Sequence, residues 1–214
     1  MHRYHQSRDL GADRLFELTQ QTAFHEAGHA TAIYLGNQLR GLPPVYFSIE
    51  VKRSEKNAMP LQAKVIGGHL IQSLPVAMLD SLSDLSVAEK HSYQCAYEAD
   101  VINLLAGPLA EARYVSIRDD EVLNLNLLNP QALGDYYGGQ ADMEKAYQYL
   151  EYFIADAEQR ENKMLDLFTQ AWMFVSHRKS WVCILNLANY ILESDQDVIS
   201  CEEVSDIFER CMNL

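Results

Sequence analysis

Two histidines four residues apart, His25 and His29, with a glutamate directly after the first, stand in the stretch Ala23-Phe24-His25-Glu26-Ala27-Gly28-His29-Ala30. Side chains at i and i+4 share one face of a helix about a turn apart, so both imidazoles would lie close enough to grip one metal ion. Glu26 is displaced roughly 100° round such a helix from His25, too far to join the pair as a third ligand. It is well placed to reach a water on the open side of the ion. Two neutral imidazoles and a carboxylate suit zinc, and a fourth position left to water makes such a centre catalytic instead of structural. Glu26 then reads as a general base, taking a proton from the water and passing one to a leaving amine.

The elements that must position these residues can be read in outline. From Arg14 to Leu35 apolar residues and the histidines recur at three- and four-residue steps through Leu15, Leu18, Thr22, His25, His29 and Ile33, which predicts a helix with the histidines inward and a stop at Gly36-Asn37. Gly28 inside that helix costs roughly 1 kcal/mol against alanine. The cost makes sense if another backbone passes close to the metal face; the cheaper explanation is a merely tolerated glycine. Val45 to Val51 reads as a strand and Gln62 to Ile66 as a second, joined by the polar stretch Lys52 to Pro60. A strand edge beside a metal can hold an extended peptide by main-chain hydrogen bonds, and Val45 to Val51 is the segment expected to do so. Gly67-Gly68-His69 ends the pattern, and Leu79 to Ser86 reads as a loop or short helix.

Helical spacing returns from Lys90 to about Ile117, with a kink or restart expected at Gly107-Pro108, and Glu111 emerges one turn later. Arg118 to Asp135 is acidic, Asn-rich and broken by Pro130, and reads as a long irregular loop. Beyond Gly138-Gly139 the chain reads as helices: a stripe Met143, Ala146, Tyr147, Leu150 and Ile154, then Leu165, Phe168, Trp172 and Val175, then a helix capped by Ser180. Ser200 and Glu203 have capping-box spacing before Val204, Ile207 and Phe208. The fold class is mainly α with a small β-sheet.

Composition narrows the function. With 17 basic against 30 acidic residues and a formal charge of −13, the chain lacks the clustered cations that nucleic acid or an anionic membrane would need. Cys95, Cys183, Cys201 and Cys211 lack CxxC spacing and read as reduced core thiols. No apolar signal region follows the charged N-terminus, and the run Trp181 to Leu192 is broken by Asn186 and Asn189 and too short to span a bilayer. A cytoplasmic protein without membrane insertion is expected. Its 214 residues suffice for one domain spanning 1–214, with the metal-binding helix, sheet and second long helix in about 14–135 and the later helices in about 136–214.

Three motifs in order resemble the peptidase domain of FtsH-type ATP-dependent zinc proteases: Ala23-Phe24-His25-Glu26-Ala27-Gly28-His29-Ala30, then Leu105-Ala106-Gly107-Pro108-Leu109-Ala110-Glu111, then Gly139-Gln140-Ala141-Asp142-Met143-Glu144-Lys145-Ala146. The C-terminal segments Leu187 to Glu193 and Ile199 to Val204 are similar to that family's final helix pair. The resemblance implies an FtsH-peptidase-like helical metalloprotease domain with one zinc ion held by His25, His29 and Asp142, and Glu26 as the base. Two departures stand out: Pro108 within the Leu-Ala-Gly motif, and Gly138-Gly139 in place of a Thr/Ser-rich approach to Asp142. The chain has neither a GxxxxGK[ST] loop nor a membrane anchor, so ATP is not expected to bind it.

Asp142 also has a plainer reading, since an acid in a helix's first turn is favoured by the macrodipole alone. Glu111 is the rival ligand, or else it orients a ligating histidine from behind. The run Asp119-Asp120-Glu121 reads as solvated surface, and His69, His91 and His177 as structural. Tyr136, Tyr137, Tyr147 and Tyr149 either pack or supply an oxyanion donor. The expected function is a zinc-dependent metalloendopeptidase acting on a peptide or unfolded protein through a zinc-bound water. The alternative is a binding or regulatory module that keeps the peptidase fold without cleaving. A homo-oligomer or a separate ATPase partner is compatible with either.

Overall fold

Small residues at positions 23, 27, 28 and 30 leave one side of the first helix flat enough for a second helix to lie directly on it. The computed structural model describes residues 3–54, 59–71, 86–123 and 128–212. Helix α1 spans Arg3–Thr31, passes into one π-helical stretch at Ala32–Gly36, and ends in the short α2, Asn37–Leu39. The helical run thus continues through Gly36-Asn37, where a stop was expected. The strands β1, Phe47–Lys52, and β2, Gln62–Gly67, follow. Helix α3 occupies Val87–Arg118 and starts at a full capping box between Ser86 and Glu89. The expected loop over Leu79 to Ser86 otherwise lies outside the described residues, as do 55–58 of the connection between β1 and β2.

Helices α1 and α3 run antiparallel along the centre of the molecule. Glu17 meets Arg118 at 3.9 Å, Phe24 stacks on Tyr114 with centroids 4.1 Å apart, and Gly28 faces Ala106 and Ala110. Since α3 ends at the level of Glu17, the turn of α1 that carries Leu18 meets only the last residues of α3. Leu18, expected inward, is accordingly exposed, and continuous burial begins at Ala23. Pro108 lies inside α3 without ending it, so the expected restart does not occur. Burial of the whole turn, Leu104 to Ala112, outweighs the single hydrogen bond that proline removes.

The sheet is antiparallel with order β2-β1-β3, where β3 is Val198–Ser200. β1 therefore has partners on both sides, and its alternate residues Phe47, Ile49 and Val51 are buried. This corrects the expectation that the segment Val45 to Val51 offers a free edge: β2 is the edge strand beside the site. The strand β3 was not foreseen, because three residues after a polar turn carry no periodicity and acquire theirs only by pairing with Ser48 to Glu50.

The expected irregular loop over Arg118 to Asp135 contains helix α4, Pro130–Tyr136; residues 124–127 lie outside the described set. Asn129 caps α4 by accepting from the Ala132 N–H at 2.9 Å, so Pro130 sits at the first helical position, where proline starts a helix instead of breaking one. Helix α5 spans Gln140–Phe153, α6 Ala157–Ser176, α7 Arg178–Glu193 and α8 Cys201–Met212. In α6 the inward face is carried by Met164, Leu167, Phe168, Ala171, Phe174 and Val175, while Leu165 points outward. Ser180 is buried inside α7 and caps nothing. Ser200 and Glu203 do exchange the two hydrogen bonds of a capping box ahead of α8. All four thiols are free, as expected; Cys183 is buried in the core and Cys201 and Cys211 pack half-buried against it, whereas Cys95 is half-buried outside that cluster. The buried residues from Ala23 to Phe208 form one connected cluster. Among the described residues no helix is long and apolar enough to cross a membrane.

Candidate metal centre

The glycines that bring α1 against α3 also make room for the histidines. A Cβ at position 28 would come within 2.5 Å of the Ala106 carbonyl oxygen, and one at Gly107 would collide with the His29 ring. His25 and His29 are both buried at 8% exposure, with ring centroids 4.8 Å apart and planes at 73°. Their Nδ1 atoms face α3: His25 Nδ1 lies 2.9 Å from Glu111 Oε2, and His29 Nδ1 2.8 Å from the Asn103 carbonyl. A carbonyl oxygen has two lone pairs and no proton, so that of Asn103 can accept from His29 beside its helical bond, and a carboxylate likewise accepts. Both Nδ1 atoms therefore donate, which leaves each Nε2 turned the opposite way, where it can carry a proton or, once that proton is lost, offer its lone pair to an ion.

Asp142 stands on that opposite side. It lies in the first turn of α5, with Oδ2 at 3.1 Å from His25 Nε2 and Oδ1 at 3.6 Å from His29 Nε2. Gly138, at φ +63°, and Gly139 bring the chain there across α3; a Cβ at 139 would come within 2.8 Å of the Pro108 ring. The two departures noted in the sequence thus meet each other. One ligand atom from each of His25, His29 and Asp142 lies within 4.8 Å of the others, so the three could hold a metal ion. Glu111 is on the far side of the His25 ring and does not converge with them, which is the position of a group that orients a ligand.

The charges reinforce this arrangement. Burial works to lower the His25 pKa, but its contacts with Asp142 and Glu111 prevail and raise it to about 10. Burial likewise opposes protonation of His29, whose pKa is nevertheless raised, chiefly by the charge of Asp142. Burial disfavours the Asp142 anion too, yet the two histidines hold it well below the usual carboxylate range. A proton shared in this cluster occupies the place where a divalent ion would bind, so the two compete.

A cleft of about 350 Å³ opens beside the cluster, between α1, β2 and α5. Glu26 lines it, and its Oε2 accepts a hydrogen bond from the Val65 N–H of β2 at 2.7 Å. In an antiparallel pair the N–H and C=O of one residue point to the same side. The backbone of Val65 therefore faces the cleft instead of β1. None of Tyr136, Tyr137, Tyr147 and Tyr149 lines the cleft, and Tyr149 donates to the Ile71 carbonyl at 3.0 Å. Asp119 is engaged with Arg118 at the surface, away from the cleft.

Three residues at the cleft were not read from the sequence as site residues. His69, read as structural, accepts a hydrogen bond on Nε2 from the Lys145 ammonium at 2.7 Å. Burial and that cation push the His69 imidazole down to about 4, so it is the neutral partner. Asp100, fully buried, accepts from the N–H groups of Leu70 and Ile71, both at 2.9 Å, and fixes the chain that carries His69. Lys145 follows Asp142 by three residues on α5, a spacing visible in the sequence. Its pairing with a histidine 76 positions earlier was not. The sequence matches no protein-family model and no curated protein.

Proposed function

We propose that this chain is a zinc-dependent metalloendopeptidase with an FtsH-like peptidase fold, acting on peptides or unfolded protein. The observation that carries the reading is the convergence of His25 Nε2, His29 Nε2 and the Asp142 carboxylate, with each Nδ1 separately held. Two imidazoles and one carboxylate are a recognised catalytic zinc set, and the oriented Nδ1 atoms are what such a set needs behind it. The donor chemistry therefore fits zinc.

A zinc ion at this place supplies a Lewis acid that polarises a carbonyl and lowers the pKa of a water to about 7. The protein's own groups do the rest. Glu26, one residue beyond His25 and facing the cleft, accepts a proton from the attacking water and returns one to the leaving amine. The outward backbone of Val65 on β2 offers a donor and an acceptor to an extended peptide, which would bind as a further antiparallel strand. The Glu26 carboxylate must release the Val65 N–H as the peptide arrives.

That same hydrogen bond is the one observation that favours a non-cleaving module, since it ties the base to the edge strand. The two readings separate in one experiment. The purified chain is stripped with a chelator, reloaded with one equivalent of zinc and incubated with an unfolded protein, and the products are read by mass spectrometry. New internal termini that vanish with the chelator are expected. Stoichiometric zinc with an intact substrate would establish the module instead, and failure to take up zinc would remove both.

A further inference from the structure

The cleft carries positive charge that the metal chemistry does not use. Lys145 and Lys64 both line it, Lys64 on β2 and Lys145 on α5, and the charge of Lys64 is among those that lower the Lys145 pKa, after its burial. In a chain with 17 basic and 30 acidic residues, two cations facing one cleft run against the overall balance. Neither forms an ion pair within 4.0 Å among the described residues, whereas Arg118 and Lys163 each reach carboxylates. Lys145 spends one donor on His69, and an ammonium has three. The acids that face Lys145 are otherwise engaged: Asp100 with the Leu70 and Ile71 N–H groups, and Asp142 with the two histidines.

We propose that Lys145 and Lys64 form a carboxylate subsite, so that the cleft prefers peptides presenting a carboxylate within a residue or two of the bond placed at the His25, His29 and Asp142 cluster. This rests on the peptidase reading for what is cut, though not for what is bound. The spacing follows from the helix and the strand. Three residues along α5 advance about 4.5 Å from Asp142 to Lys145. An extended peptide on β2 advances about 3.4 Å per residue. The rise of about 4.5 Å from Asp142 to Lys145 is thus the length of one to two residues of an extended peptide, the separation at which a carboxylate is placed from the reacting carbonyl. His69 is a positioning residue: a neutral imidazole accepting one N–H holds the ammonium towards the cleft without quenching its charge.

The carboxylate can come from an acidic side chain or from the peptide's own C-terminus, and a matched peptide set distinguishes them. The full chain, zinc-loaded, is given fluorescent peptides that differ only in Glu against Gln beside the cleavage point, and in a free against an amidated C-terminus. Cleavage is followed as kcat/KM, and binding to the Glu26→Gln variant by anisotropy. A charge-assisted hydrogen bond predicts a preference of about tenfold or more for the carboxylate member of a pair. Preference within the Glu/Gln pair identifies a side chain, and preference within the free/amidated pair identifies the C-terminus. In Lys145→Gln the preference should fall to within twofold, and Lys145→Arg should restore it; a purely structural role would lower both members of a pair alike. Preference in binding without any cleavage would keep the subsite and overturn the peptidase reading. Equal handling of both members in both pairs, or no binding of any carboxylate peptide, would overturn the subsite.

Discussion

Each imidazole of the cluster is held from behind by a different kind of acceptor, His25 by the Glu111 carboxylate and His29 by the Asn103 carbonyl. Removing the first should be felt at the metal without removing a ligand. Glu111→Ala is expected to weaken zinc binding by about 10- to 100-fold in a chelator competition, and Glu111→Gln by less, because an amide oxygen can still accept from Nδ1. Equal affinity in all three proteins would mean that Glu111 orients nothing. The protonated cluster gives a second test. In chelator-treated protein the folded His25 pKa, about 10, lies above the ordinary value of 6.5. The sign is that of a base stabilised in its charged form: the contribution is complete below about pH 6.5 and is lost as pH rises through 10. The melting-temperature gap between the wild type and His25→Gln should therefore narrow between pH 6 and pH 10, at roughly 2–4 °C for each kcal/mol lost. A gap constant with pH would show that no such proton is held. In the sequence only the family resemblance ranked Asp142 above Glu111; the residue pattern could not, because the distinction is which side of the His25 ring each carboxylate occupies.

At the scale of elements, the contact between α1 and α3 decides whether the cluster exists. Gly107→Ala would drive a methyl group into the His29 ring and should cost about 1–3 kcal/mol, with zinc uptake falling in parallel. Gly11, in the same helix as His29, has no atom within 4 Å of an added Cβ. Gly11→Ala should be neutral or stabilise by up to about 1 kcal/mol. Thermal melts and metal analysis of both variants check the pair; similar losses would deny any special closeness at Gly107. Periodicity made α1, α3 and the C-terminal helices legible, because their buried faces repeat along the chain. Gly28 likewise signalled a close neighbour without revealing which one. Punctuation was harder to read. Pro130 starts α4 and Pro108 is absorbed within α3, since a proline's effect depends on its position in the turn and on the packing around it.

Across the whole molecule the cluster ties the first long helix to α5, elements far apart in the chain. A bound ion would cross-link them, so zinc at a thousandfold excess over its dissociation constant should stabilise the fold by about 4 kcal/mol. Asp142→Asn should lose most of that gain in calorimetry. The sheet explains why the edge proposed for a peptide is not the one expected from sequence: Val45 to Val51 has the stronger strand pattern because β1 is central and buried, while β2, half polar, is the edge strand beside the cleft. His69 and Lys145 were equally hidden, since their partnership exists only once β2 and α5 face each other. The stretch His25-Glu26-Ala27-Gly28-His29 thus has a geometry that could hold a metal supplied by α3 and α5, and β2 supplies the strand edge beside it at which a peptide is proposed to bind. Central to this picture is that Glu26 moves the proton while the histidines and Asp142 hold the metal. The most direct measurement compares zinc content and peptide-cleavage rate in the wild type and Glu26→Gln. One zinc per chain in both, with cleavage slowed by at least about a hundredfold in the variant, is the predicted result. Cleavage at the wild-type rate in Glu26→Gln would contradict it.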